Sequence, residues 1–169
     1  MYLPAQNPLA IVLVEPQIPQ NTGNILRLCA CTGTTLYLVG ALGFQLGDKF
    51  LKRAGMDYAL NVPFEHFWDF EALQARLSGW HFVYASTKAH QSHWQVHYPP
   101  QTALVFGSET TGLPEPWLEA NKNDSIRIPM VADTRSLNLA NSVSIVLYEA
   151  LRQQQLMPET ITPEVLLAR

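Results

Sequence analysis

Three observations predict an α/β fold, a mostly parallel sheet flanked by helices. Leu9-Ala-Ile-Val-Leu-Val14 and Thr102-Ala-Leu-Val-Phe106 are near-continuous apolar runs, the pattern of strands buried on both faces. Strand-like and helix-like segments alternate along the chain, as parallel sheets require. The 169 residues are 47% hydrophobic and 15% charged, which excludes a disordered chain and supplies a core without staples.

The elements follow in order. After the first strand, Glu15-Pro-Gln-Ile-Pro19 holds two prolines and reads as a loop. Asn21-Thr-Gly-Asn24 offers N-cap chemistry for a helix to about Ala30, with Gly33 as its stop. Thr35–Val39 is rich in β-formers. Asp48 to Gly55 reads as a short helix bearing Lys49, Lys52 and Arg53, and His66 to Leu77 as an amphipathic helix ended by Gly79. Trp80 to Ala85 reads as a strand, and residues 86–101 as a polar loop closed by Pro99-Pro100. After the strand Thr102–Phe106 comes the turn Gly107-Ser-Glu-Thr-Thr-Gly112, then a short helix from Pro114 to Glu119 and a strand from Ser125 to Ile128. The longest helix runs from Asn138 to Arg152, with Ser136 or Asn138 as its cap. The expected organisation is one domain over 1–169, with its core at about 9–153 and residues 154–169 a peripheral tail.

Eleven basic residues against 14 acidic ones give a net charge of -3, which speaks against nucleic-acid binding through bulk charge. The deficit is local: residues 1–104 are balanced, and the excess of acid lies beyond them. Any polyanion must then be met by small basic groups, with Lys49, Lys52, Arg53, Lys88, His90, Arg27, Arg127 and Arg135 as candidates. Cys29 and Cys31 are spaced i, i+2 in a helix, where they do not face each other. Buried free thiols are expected, suiting a reducing compartment and a cytoplasmic location. Neither a signal peptide nor an 18-residue apolar span is seen.

Gly107 to Gly112 has the glycine spacing of a phosphate loop, but Leu113-Pro114 follows where lysine and a hydroxyl residue are needed. No G-x-G-x-x-G follows the first strand. What remains is a tight turn at the carboxyl end of a strand, where open α/β sheets bind ligands. His90, His93 and His97 invite a metal reading, but the segment is rich in Gln, Ser and Trp, lacks a nearby carboxylate and ends at two prolines. No metal is expected there, and His93 is expected in an exposed loop.

Three blocks, taken together, resemble the SPOUT superfamily of RNA methyltransferases, the α/β-knot fold. They are Ile18-Pro-Gln-Asn-Thr-Gly-Asn-Ile-Leu-Arg-Leu-Cys-Ala30, Leu104-Val-Phe-Gly-Ser-Glu-Thr-Thr-Gly-Leu-Pro114, and Ile126-Arg-Ile-Pro-Met130 with Ser136-Leu-Asn-Leu-Ala-Asn-Ser142. Gly43-Phe44, Asp48-Lys49 and Arg53-Ala-Gly-Met-Asp-Tyr58 are similar to the small single-domain tRNA 2'-O-methyltransferases of the TrmL type. The resemblance implies a C-terminal deep trefoil knot, a device otherwise nearly absent from proteins. It implies S-adenosylmethionine as cofactor, held at Ala85, Gly107, Ile128, Met130, Ser136 and Leu137. It implies a reaction site lined by Asn21, Arg27, Glu109, Ser136 and Asn138. The implied activity is methylation of the ribose 2'-hydroxyl of the wobble nucleotide, cytidine or modified uridine, in a tRNA anticodon loop. The implied assembly is a homodimer in which Arg27 serves the partner's cofactor site. Another tRNA or ribosomal ribose, or a non-catalytic dimeric RNA-binding module of the same fold, are the alternatives. Thr111 stands where the family often has Arg, and Ala89 where it often has Gly.

Overall fold

The computed structural model describes residues 8–47, 64–131 and 134–156. The helix expected at Asp48 to Gly55, with Lys49, Lys52 and Arg53, lies outside the described residues, as does the tail from Met157. Among the described residues seven strands form one sheet: β1 (Leu9–Val14), β2 (Thr35–Val39), β3 (Phe64–Phe67), β4 (His81–Ala85), β5 (Gln91–Ser92), β6 (Thr102–Phe106) and β7 (Ser125–Arg127). Their spatial order is β3-β2-β1-β6-β4-β7-β5, and every pairing is parallel. The helices among the described residues are α1 (Pro19–Thr32), α2 (Phe70–Arg76), α3 (Glu115–Ala120) and α4 (Leu139–Gln153), with a 3-10 turn at Lys122–Asp124.

The period-2 alternation of a strand explains why β1 is apolar throughout. Leu9, Ile11 and Leu13 join Ile25, Leu26 and Cys29 of α1 and Val143, Val146, Leu147 and Ala150 of α4 in one core. Ala10, Val12 and Val14 face the other way, onto Phe70 and Leu73 of α2 and onto Leu113. Each fully buried Leu or Ile contributes roughly 1.5–3 kcal/mol, so a polar residue at either parity of β1 would open a core.

The caps agree with the sequence in part. Gly33 is left-handed (φ 70°) and its N–H returns to the carbonyl of Cys29, closing α1. Asn138 caps α4, its Oδ1 accepting from the N–H of Ala140 and Asn141. Asn21, however, does not cap α1. The helix begins at Pro19, whose fixed φ suits a first helical position, and Asn21 lies inside the first turn. The segment expected as a helix from His66 is also corrected. Residues 64–67 form β3, paired with Leu36–Val39, and α2 starts only after Asp69, whose Oδ1 accepts from the N–H of Ala72 at 2.7 Å.

β1 and β6 are adjacent at the middle of the sheet. From β1 the chain passes through α1 to β2 on one side, and from β6 through α3 to β7 on the other. Their carboxyl ends therefore flank a topological switch point, where two loops part and leave a crevice.

Candidate active site

Two loops meet at that crevice, residues 15–18 after β1 and 107–113 after β6. The second turns back on itself. Ser108 and Gly112 form an antiparallel bridge, Ser108 Oγ and Thr111 Oγ1 share a 2.7 Å hydrogen bond, and Gly112 is left-handed (φ 69°). A Cβ at Gly107 would collide with the backbone of Gly112 and Leu113. The glycine is thus demanded by the loop's own return.

Glu109 projects from this loop and ties it to the other. Its Oε2 accepts from the N–H of Gln17 at 2.8 Å, and its Oε1 from the N–H of Ile18 at 3.1 Å and from Asn21 Nδ2 at 2.9 Å. Asn21, only 5% exposed, turns its Oδ1 to Asn138 Nδ2 at 2.9 Å. A carboxylate only accepts, so the polarity of the chain of bonds is set from Glu109 outward. Asn21 gives its amide NH2 to Glu109, Asn138 gives its own to Asn21, and Asn138 Oδ1 is left for the N-terminus of α4. Burial by itself pushes the Glu109 carboxyl up; the donated bonds from Asn21, Gln17, Glu109's own N–H and Ile18 outweigh it and hold it below the ordinary carboxylate value. Three sequence blocks separated by 88 and 117 positions are thereby joined by two side-chain bonds.

The residues expected at the cofactor lie along the same edge of the sheet. Ala85 is in register with Phe106 and Ile126, so Ala85, Gly107 and Ile128 stand at the carboxyl ends of the neighbouring strands β4, β6 and β7. Ile128 and Met130 are half-buried, and Ser136 and Leu137 are exposed immediately before Asn138. Two cavities, of about 430 and 410 Å³, are lined by other residues.

Arg27 is exposed on α1, on one stripe with Gln20, Asn24 and Cys31. Six residues of α-helix place it about 120° around the axis from Asn21. The guanidinium and the asparagine amide share a helix but face different ways.

Other expectations are corrected. Cys29 is buried but Cys31 is exposed, and both are free thiols. His93 is 6% exposed and not on an open loop. Fully buried Tyr98 draws the segment inward by donating its hydroxyl to the His93 carbonyl at 2.6 Å. The N–H of His93 joins the sheet edge at Arg127, and burial lowers its ring's pKa against the opposing pull of the Arg127 backbone and Glu149. Part of the expected loop is β5. Among the described residues no three His, Cys, Asp or Glu side chains are grouped to hold a metal ion, and no helix is long and apolar enough to cross a membrane. Lys88 is paired with Glu115 at 3.0 Å. The Asn21–Asn138 bond was invisible in the sequence: two asparagines so far apart carry no local signal of contact.

Comparison with known proteins places the chain in a family. The model of the SpoU rRNA Methylase family matches residues 8–148. The chain is 46% identical over 146 residues to the tRNA (cytidine(34)-2'-O)-methyltransferase of Escherichia coli, covering 86% of this chain and 93% of that one. It is similar to a solved structure described as giving structural insights into the 2-OH methylation of C/U34 on tRNA, with a TM-score of 0.82 and 38% identity over 89% of this chain and 99% of that one. It is similar also to an AdoMet-bound rRNA methyltransferase from Sinorhizobium meliloti, with a TM-score of 0.75 and 25% identity over 89% of this chain and 58% of that one. A parallel sheet with a tied crevice at its switch point, and a family match across most of the chain, lead to one conclusion: the chain belongs to the SpoU rRNA methylase family.

Proposed function

We propose that this protein is an S-adenosylmethionine-dependent tRNA methyltransferase that acts on the ribose 2'-hydroxyl of the wobble nucleotide, cytidine or modified uridine. One observation carries the reading: Asn21, Glu109 and Asn138, one from each of the three blocks, are hydrogen-bonded together at the switch point. The near full-length similarity to a cytidine(34) enzyme supports the substrate.

The residues along the sheet edge fit such a cofactor. Strand ends at Ala85, Gly107 and Ile128 offer main-chain donors and acceptors, half-buried Ile128 and Met130 offer apolar walls for an adenine, and Ser136 and Leu137 complete the set. When bound, the cofactor supplies an electrophilic methyl group on a sulfonium. The protein's task is to align the ribose oxygen with it and to ease loss of the hydroxyl proton. Arg27 stays protonated in proteins, so it is no conventional base. Its forked donors hold a substrate phosphate and polarise the 2'-oxygen, leaving the proton to a phosphate oxygen or water. Ser136 orients the hydroxyl. Asn138 contributes by fixing where α4 begins, and Glu109 with Asn21 by locking the two loops and α1 together.

The proposal includes a homodimer with composite sites. Arg27 faces away from the Asn21 network of its own chain, and the outer face of the neighbouring α4 exposes Ile145 and Tyr148. It also includes the trefoil knot. Supporting it, the connection from β4 to β6 is bonded to the end of α4: the N–H of Tyr98 donates to Gln153 Oε1 at 3.1 Å, and Gln154 Nε2 to the Pro99 carbonyl at 2.8 Å.

The test uses labelled S-adenosylmethionine, tRNA and mass mapping of the modified nucleoside. A 2'-O-methylated wobble nucleotide is expected; a methyl group elsewhere, or none, refutes the reading. Arg27→Ala should abolish methylation with the affinity for S-adenosylhomocysteine retained. Mixed dimers of Arg27→Ala with Ser136→Trp, which blocks the cofactor site, should regain activity that neither variant has alone. No regain would mean that each protomer completes its own site.

A further inference from the structure

The cavity of about 410 Å³ lies against the same two loops as the crevice but is lined by none of the residues assigned above to chemistry. We infer that it is a recognition site for an amino-bearing nucleobase of the RNA substrate, stacked on Trp68 and read by the carboxylate of Glu15; this rests on the reading of the protein as an RNA methyltransferase.

Its floor is the carboxyl ends of β1 and β2, at Val14 and Val39, and one wall is the outer side of the 107–113 loop. Glu15 is two residues from Gln17, and Thr111 is two from Glu109, so each wall lies within about 7 Å of chain from the crevice. That is the span of about one nucleotide: a ribose in the crevice leaves an adjoining base at the cavity. The volume falls in the range of small-ligand sites, on the order of 300–1,000 Å³.

The lining suits a base. Trp68 is 78% exposed, more than any other Trp, Tyr or Phe described, and a ring so presented is a stacking platform for unpaired bases. Phe70 and Trp117, their centroids 4.3 Å apart, add an aromatic wall. The charged groups favour a hydrogen-bond donor over a phosphate. Glu115 is paired to Lys88 and Asp69 caps α2, whereas the Glu15 carboxylate has no bond or ion pair among the described residues. Glu15 is also held in the left-handed region (φ 49°) immediately before Pro16, a conformation uncommon for a residue with a side chain. A carboxylate accepts from the exocyclic amino group of cytosine, and by the same chemistry from that of adenine, but repels a keto oxygen at the same place.

The experiment measures methylation kinetics on anticodon stem-loops. Each base neighbouring the target is exchanged in turn for its amino-free counterpart, purine for adenine or pyrimidin-2-one for cytosine. Wild-type protein should lose efficiency at one position, and Glu15→Gln, whose amide both accepts and donates, should erase that preference. Trp68→Ala should raise the KM for RNA by on the order of 5- to 150-fold, in KM rather than kcat, with Trp68→Phe recovering most of it. Calorimetry with S-adenosylhomocysteine verifies that each variant is folded. Wild-type activity with no amino preference at any position, or a Trp68→Ala KM within twofold of wild type, would overturn the inference. An inactive wild type would instead refute the underlying function.

Discussion

Replacing Glu109 by Gln removes a charge and almost no volume, so it isolates what the carboxylate does. Oε1 serves two donors, the N–H of Ile18 and Asn21 Nδ2, and Oε2 serves the N–H of Gln17. A glutamine keeps its carbonyl at the Oε1 position, which spares buried Asn21, and turns an NH2 on the N–H of Gln17. One charge-assisted bond becomes a donor facing a donor, and two become neutral. Charged hydrogen bonds contribute about 1.5–3 kcal/mol and neutral ones about 0.5–1.5. The bonds to Gln17 and Ile18 are exposed, so water relieves part of the loss and the expected cost is about 1–2 kcal/mol. The pH dependence follows from the carboxyl's position below its ordinary value of 4.5. Around that pH the unfolded chain binds more protons, so the wild-type advantage is full above it and fades as pH falls through the lower folded value. Urea denaturation at neutral pH and at several acidic values measures both effects. A loss below about 0.5 kcal/mol at neutral pH, or a difference that persists undiminished far below pH 4, would refute the reasoning.

Two other tests probe the same architecture. Gly107→Ala places a Cβ into the backbone of Gly112 and Leu113; it should distort the loop and weaken binding of S-adenosylhomocysteine more than it lowers overall stability, as calorimetry beside thermal unfolding will measure. Glu109→Ala and Asn138→Ala do not share a contact, but each bonds Asn21, so their double-mutant cycle should give a coupling of about 0.5 kcal/mol or more; additive losses would mean that Asn21 relays nothing.

The sequence was most informative where burial on both faces left no freedom. Leu9–Val14, Thr35–Val39 and Thr102–Phe106 are strands at the expected bounds, because near-continuous apolar runs of that length have few other places in an α/β fold. It was misleading at His66 and Phe67, which end β3 although Phe67 is at near-helical spacing from Phe70 in the real helix that follows. Asp69 was the available signal, since an N-cap aspartate marks a start after itself. The two-residue β5 has no periodicity to read.

The candidate site divides in the same way. The resemblance of three ordered blocks was enough to expect a methyltransferase and to name Asn21, Arg27, Glu109, Ser136 and Asn138, whereas composition alone spoke against a nucleic-acid substrate. The tertiary structure alone decided that three of these form one directional chain of hydrogen bonds and that Arg27 faces elsewhere. Which way a helix turns its side chains is settled by which stripe meets the sheet, and α1 spends its apolar stripe on β1 and α4. Asn21 is carried inward at the crevice and Arg27 outward. The pairing of Glu109 with Asn21 depends on β6 lying beside β1, a long-range contact that no local propensity encodes.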